Sequence, residues 1–345
     1  LMTGAALAIV LVVGGGRVLS ESIEIGTMVA FLLYVQRFFE PIRTLTMHYA
    51  ALQRAVASGH RIFELLDIPL DIADKPEAKP IGDVDGRVEF KNVTFGYKPE
   101  RPILRNISFV AEPGQTIALV GPTGSGKTSI TALAHRFYDV QQGSISIDGQ
   151  DIRDVTQESI GHVMGMVLQE PFLFSKSVLE NVSYNTENAT REDVVAACKI
   201  IGAHDFVMQL DNGYDTTLEQ RGSNLSVGQR QLLSFARALV ADPKILVLDE
   251  ATANIDSYTE RIIQEALKKL LEGRTALVIA HRLSTIRNSN QIIVVRDGEI
   301  VEKGTHDELL AETGLYAQLW QTNYTSFDDI AGNADSITGA PISST

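Results

Sequence analysis

The sequence predicts an α/β domain built on a mostly parallel sheet and preceded by α-helical segments apolar enough for a membrane. Three observations carry this expectation. Short β-rich runs alternate with helical patterns through much of the chain: TIALVG, a helix from Lys127, ILVLDE, a helix from Ser257, then TALVIAH. A glycine-rich run, GPTGSGKT at 121–128, follows the first of these strands and opens a helix. The opening residues 1–16, LMTGAALAIVLVVGGG, carry no charge.

At 345 residues the chain has room for about two domains. Its formal net charge of −13 argues against a nucleic-acid partner, which would call for a basic stripe, and against holding anionic lipid by bulk charge. The single cysteine, Cys198, excludes an internal disulfide and any multi-cysteine metal site. It lies in DVVAACKIIG and reads as a buried, inert thiol.

The first apolar run has no basic region ahead of it and no evident cleavage site, so a membrane helix cut at its start fits better than a signal peptide. A second uncharged segment runs from Ile25 to Gln36. It falls short of the roughly 18 residues that identify a spanning helix, and hydropathy alone leaves it open between membrane and core. Glu21 and Glu24 lie between the segments, whereas Arg37, Arg43, Arg54 and Arg61 follow the second. If both span, that bias places the C-terminal side in the cytoplasm. Arg37, Glu40 and Arg43 share a helical face, with Pro41 as a candidate kink. That face either points to a cavity in the membrane or already lies in a cytoplasmic extension of the helix.

The stretch DIPLDIADKPEAKPIGDVD, rich in proline and charge, reads as a linker over 67–85. RVEFKNVTFGY through ILRNISFVAEPG has strand-and-turn character and predicts an antiparallel β layer. The tail over 326–345 has few large apolar residues and is expected to be disordered.

In GPTGSGKT, Gly121, Gly124 and Gly126 let the backbone wrap closely around phosphate oxygens where side chains would collide. Lys127 reaches β and γ phosphates, and the Thr128 hydroxyl suits Mg²⁺. Pro122, Thr123 and Ser125 within the run, with Ser129 just after it, belong to the same expected nucleotide site. In ILVLDE at 245–250, two carboxylates emerge at the C-terminal end of a buried strand, where ligands of open α/β sheets bind. Asp249 is suited to hold Mg²⁺ through water, and Glu250 to polarise an attacking water. A second anion-binding pattern lies in GSNLSVGQRQ at 222–231. Ser226 and Gln229 fit an S-x-x-Q capping box, and Leu232, Phe235, Ala236, Leu239 and Val240 continue as one apolar face until Asp242-Pro243. Such a helix start offers free N–H groups and the positive end of the dipole.

With LSVGQRQ, ILVLDEATANID and VIAHRLST read in order, the chain resembles the ATP-binding cassette of ABC transporters. It is most similar to bacterial exporters of the multidrug and lipid-flippase type, over nearly its whole length. FLLYVQRFFEPIRTL is similar to their last transmembrane helix, and HRIFELLDIP to the exit from it. The resemblance implies the C-terminal part of a transmembrane domain over 1–66, in two helices. It also implies a P-loop NTPase ABC cassette over 86–325, with a mixed sheet core, an antiparallel β subdomain and a helical subdomain.

Further residue roles follow from the resemblance alone. Tyr97 in TFGY stacks on adenine, and Gln169 in VLQEPFLF touches Mg²⁺ and senses the γ-phosphate. His281 contacts the γ-phosphate and Glu250, and Asp256 in ANID passes between subunits. Ser226, Gly228 and Gln229 form the signature, which faces the other subunit's ATP in a head-to-tail pair. The implied partners are a second exporter subunit, identical or different, membrane lipid and an exported substrate that the residues do not identify. The implied setting is a multi-pass protein of the cell membrane with its cassette in the cytoplasm. Two positions depart from the family pattern: Val227 stands where glycine is usual, and Gln220 where exporters usually have glutamate. Two other readings use the same motifs. One is a soluble ABC-type ATPase whose first 60 residues are core, against which stand the lack of long heptads and of a second cassette. The other is an ATP-binding scaffold without turnover.

Overall fold

The structure is a computed structural model describing residues 2–322 apart from 70, 99, 185, 187, 250–256 and 281–282. It divides into two compact units, Leu1–Asp71 and Ile72–Thr345. The expected disordered tail lies outside the described residues, as do Glu250, Asp256 and His281.

The first unit is a pair of helices, α1 (Met2–Leu19) and α2 (Ile25–Leu66). Both are long and apolar enough to cross a membrane. None of their described residues is buried, and Ile9, Val12, Phe31 and Phe38 are all exposed. The two helices approach closely at Gly14, where an added Cβ would come within 3.1 Å of Met28 Cγ. The 42 residues of α2 are continuous through Pro41. At about 1.5 Å per residue it is roughly twice as long as the ~30 Å hydrocarbon core. Arg37, Glu40 and Arg43 therefore sit on one uninterrupted helix that has length to spare beyond a bilayer.

The second unit holds two sheets. An antiparallel sheet contains β1 (Val88–Phe95), β2 (Leu104–Ala111), β4 (Gln142–Ile147) and the short β5 (Gln150–Asp151), in the order β2-β1-β4-β5. A mixed sheet contains β3 (Thr116–Val120), β6 (Met164–Val167), β7 (Ile245–Asp249), β8 (Thr275–Ile279), β9 (Gln291–Arg296) and β10 (Glu299–Gly304). Its order is β10-β9-β3-β8-β7-β6, parallel throughout except for the β9–β10 pair. The helices of this unit are α3 (Lys127–Ala134), α4 (Gln157–Val163), α5 (Val178–Val182), α6 (Arg191–Ile201) and α7 (His204–Met208). They continue with α8 (Val227–Ala241), α9 (Ser257–Leu271), α10 (Leu283–Asn288) and α11 (His306–Ala311).

Apart from Thr116 and Thr275 at the starts of β3 and β8 and Asp249 at the end of β7, the central strands are apolar because both of their faces are covered. Ile117 and Leu119 join Val247, Leu277 and Ile293 in one core, which includes the stacked Phe90–Phe109 pair of the antiparallel sheet. The alternate residues Ala118 and Val120 join Leu246, Leu248, Val278 and Val294 in a second core. That core packs against Cys198 of α6, Leu232, Phe235 and Ala236 of α8, and Ile263 of α9. Burial pushes the Cys198 thiol up to about 11, in keeping with an inert cysteine.

The segment expected as a linker is only partly free. From Ile72 onward it belongs to the second unit. Ile81 and Val84 are buried, the Ile81 N–H donates to Ser159 Oγ at 3.1 Å, and the Asp148 carboxylate accepts the Asp85, Gly86 and Arg87 N–H groups. The strongest tether is Arg136, just beyond α3, whose side chain is only 1% exposed. Its guanidinium donates to Ala73 O, Asp74 Oδ1, Val155 O and Asp139 Oδ1 at 2.8–3.3 Å. Proline and charge dominate the composition of this stretch, and they mask the two apolar anchors within it.

Two predictions concern the residues that follow α3. Arg136→Ala should lower the unfolding free energy by about 3 kcal/mol, because a buried side chain and several charge-assisted hydrogen bonds are lost together. Urea unfolding measures this, and proteolysis within 72–85 should accelerate; an unchanged midpoint would show that the tether contributes nothing. His135 makes the second prediction. Its ring stacks on Phe137, and its buried Nε2 has no hydrogen-bond partner among the described residues. Burial pushes the imidazole from 6.5 down to about 4, with a backbone hydrogen bond to Gly165 opposing part of the shift. The folded protein therefore binds fewer protons than the unfolded chain between these values. This stability is fully present above pH 6.5 and is lost as pH falls toward 4. Going from pH 7 to pH 5 should lower the unfolding free energy by about 2 kcal/mol through this group. The pH slope should flatten in His135→Asn, and an equal slope in that variant would refute the assignment.

Candidate nucleotide site

Register brings the site together. Leu119 of β3 pairs with Ile279 of β8, and Ile279 pairs with Asp249 of β7. The three strands run parallel, so their C-terminal ends lie side by side along one edge of the sheet, the edge at which open α/β sheets bind ligands.

At the end of β3 the chain winds through residues 121–126 into α3. Two of its glycines are required for different reasons. A Cβ on Gly121 would run into the Val295 carbonyl of β9, so the loop lies closer to its neighbour strand than any other residue allows. Gly126 caps α3 at φ 108°, in the left-handed region, where a Cβ would also come 2.5 Å from Leu104 Cδ2. The wound loop directs Lys127 inward. Its Nζ donates to Gly121 O at 2.7 Å and Pro122 O at 2.9 Å. Burial holds the Lys127 pKa below the usual lysine value, and the negative charge of Asp249 opposes that shift. Lys127 and Asp249, 122 positions apart in the chain, are thus within electrostatic reach. Ser125 Oγ is buried without a hydrogen-bond partner among the described residues. Pro122, Thr123 and Gly124 are exposed on the same loop; in the first turn of α3 Thr128 is exposed and Ser129 is buried. A cationic nitrogen, an unpaired hydroxyl and a backbone cradle form a set that fits a phosphate chain.

Tyr97 follows β1, half-exposed, and reaches the same loop. Its hydroxyl lies 3.2 Å from Ser129 Oγ. The ring is held edge-on between Phe95 and Tyr138, at centroid distances of 5.1 and 5.0 Å. Sequence reasoning missed Tyr138; an aromatic in RFYD after the loop helix gives no cue that it meets an aromatic on β1. Among the described residues no cluster of three or more His, Cys, Asp or Glu could hold a metal. A hydroxyl and one carboxylate, as offered by Thr128 and Asp249, suit Mg²⁺, which keeps several waters and binds substrate phosphates.

The second anion-binding pattern lies apart from this loop. Ser226 caps α8 with the expected box: its Oγ accepts the Gln229 N–H at 3.2 Å, and Gln229 Oε1 accepts the Ser226 N–H at 2.9 Å. The helix ends at Asp242 in the left-handed conformation. Arg230 braces the start of the helix by donating to Leu225 O at 2.6 Å. Gln169 is exposed and borders this region; with Arg221, Ser223, Val227 and Arg230 it lines a cavity of about 720 Å³. Among the described contacts none ties Gln169 to Lys127 or Thr128. Gln220 is exposed beside the same turn.

The ABC transporter family model matches residues 104–253. The chain is 47% identical over 326 residues to the ABC transporter ATP-binding protein YknV of Bacillus subtilis (strain 168), which covers 94% of this chain and 54% of that protein. It is 44% identical over 317 residues to an ATP-dependent lipid A-core flippase of Desulfotalea psychrophila (strain LSv54 / DSM 12343), covering 92% of this chain and 55% of that one. A solved structure of a bacterial Atm1-family ABC exporter with ATP bound matches with a TM-score of 0.74 and 37% identity, over 94% of this chain and 56% of that chain. The chain thus spans about half the length of the relatives it matches. Residues 104–253 thus form an ABC transporter domain, and the relatives that the chain matches over nearly all of its own length include proteins of the exporter type.

Proposed function

We propose that this chain is the ATP-binding and ATP-hydrolysing part of an ABC exporter subunit, coupling head-to-tail pairing of two cassettes to export across the cell membrane. The observation that carries the proposal is the buried Lys127, held in a wound backbone cradle at the strand edge and within electrostatic reach of Asp249.

In this reading the backbone of Gly121, Pro122, Thr123, Gly124, Ser125 and Gly126 holds the phosphates, with Lys127 as the charge and Ser129 at the end of the cradle. Tyr97 offers its ring to adenine. Thr128, Asp249 and Gln169 hold Mg²⁺, which, when bound, draws charge away from the phosphate oxygens. Glu250, next in sequence to Asp249, accepts the proton of the attacking water, and His281 steadies that carboxylate. Ser226, Gly228 and Gln229 present a helix start to the ATP of a second subunit, and Asp256 lies between the subunits. A nucleotide bridging two chains closes the pair, and loss of its γ-phosphate releases it. The exposed apolar surfaces of α1 and α2 support a place in the lipid of the cell membrane, with the cassette on the cytoplasmic side.

The test separates binding from hydrolysis. Glu250→Gln keeps shape and hydrogen bonding but removes the base, so phosphate release should fall about 10²–10⁴-fold while ATP still binds. Lys127→Ala should instead weaken nucleotide binding itself, measured by titration calorimetry. Near-normal turnover in Glu250→Gln would remove that residue from the mechanism, and undiminished affinity in Lys127→Ala would remove the cradle.

A further inference from the structure

Helices α8 and α9 pack against each other, and their N-terminal turns meet at Gly228. Gly228 is buried, whereas its neighbours Ser226 and Val227 are exposed, so it is the inward-facing position of that turn. Its φ is not in the left-handed range, so the backbone conformation does not demand glycine. Space does. A Cβ at Gly228 would overlap the Thr259 Cγ2 methyl, with Ile263 Cδ1 at 3.5 Å and Thr259 Cβ at 3.7 Å. Thr259 and Ile263 lie four residues apart on α9 and so share one face; Ile263 is fully buried. Glycine weakens a helical turn relative to alanine, and here the missing side chain makes a socket that one methyl group fills.

We infer that Thr259 is a positioning residue for the Ser226 helix start. Its methyl, seated in the Gly228 socket, fixes the first turn of α8 against α9 and so sets the direction of the capped N–H groups. This is a contact within one chain, separate from any contact of Gly228 with a nucleotide. It rests on the proposed function only insofar as that helix start serves ATP.

The test compares Gly228→Ala, Thr259→Ala and the double variant in the full chain. The Thr259 methyl is the atom that an alanine at 228 would strike, so removing it should relieve the clash; the remaining neighbours lie at ordinary contact distance. In Gly228→Ala, amide exchange across 226–232 should accelerate at least about tenfold, and adding Thr259→Ala should bring it back to within about threefold of the parent chain. Turnover should follow the same order. In Gly228→Ala kcat should drop about tenfold or more with ATP affinity changed less than about twofold, since the Lys127 cradle is on another helix, and the double variant should regain most of the loss. If Gly228→Ala fails to fold, a folded double variant supports the inference and an unfolded one overturns it. Parent-like exchange in Gly228→Ala, or a double variant as fast as the single one, also overturns it. A parent chain with no turnover would defeat the proposed function while the exchange data still decided the packing.

Discussion

The constraint behind this architecture is that the central strands of the mixed sheet are covered on both faces. Side chains on a strand alternate, so Ile117 and Leu119 feed one core while Ala118 and Val120 feed the other. No position along β3, β7 or β8 is left for an ionisable group until the strand ends. The chemistry is pushed to the C-terminal edge, where the 121–126 loop and Asp249 emerge from strands held in parallel register. The same covering explains why the loop can be so tight. Gly121 leaves β3 directly beside the Val295 carbonyl of β9, a strand fixed by the core on either side of it.

Much of this was legible in the sequence because the relevant signals are local. Strands β3, β7 and β8 are short apolar runs, the phosphate loop is a contiguous motif, and both ends of α8 are set locally, by the Ser226–Gln229 side-chain box at the start and by Asp242-Pro243 at the stop, where the Asp242 backbone N–H donates to Leu239 O. The antiparallel layer was also legible, from the strand-and-turn character of the residues that form β1 and β2. What escaped is long-range. The order β3-β8-β7 is not the sequence order, and no local signal says which strand lies beside which. Arg136 is the clearest case. Its partners at Ala73 and Asp74 lie more than sixty residues upstream, and a lone arginine ordinarily sits at the surface. Tyr97 was assigned through family resemblance alone; its contact with Ser129 is information that only the fold supplies.

The two units place different demands on their apolar residues. In the second, leucine, isoleucine and valine sit in two cores, and the exposed large hydrophobics include Tyr97, Leu168, Phe172 and Val227, at or beside the residues assigned to nucleotide or signature. In the first, α1 and α2 expose nearly all that they have. A water-soluble helix pair would present charge along its outer face; these present isoleucine, valine and phenylalanine, and charge appears mainly beyond Arg37. The composition of α2 thus changes along its length while its conformation does not, as expected of a helix that leaves one solvent for another.

The departure at Val227 takes its meaning from Gly228 next to it. Both lie in the first turn of α8, one residue apart, and therefore face different ways. Val227 is 47% exposed and lines the cavity shared with Gln169, while Gly228 is buried against α9. A side chain at 227 projects into open space and leaves its backbone N–H in place, so nothing in the packing of this chain resists valine there. At 228 the same step would displace a helix. The pattern of two adjacent glycines therefore covers two separate constraints: one imposed from inside the chain at 228, which this sequence obeys, and one at 227 that the packing of this chain does not impose, which it relaxes. Whatever Val227 costs does not lie in the stability of the cassette itself; under the proposed pairing it falls where two cassettes meet.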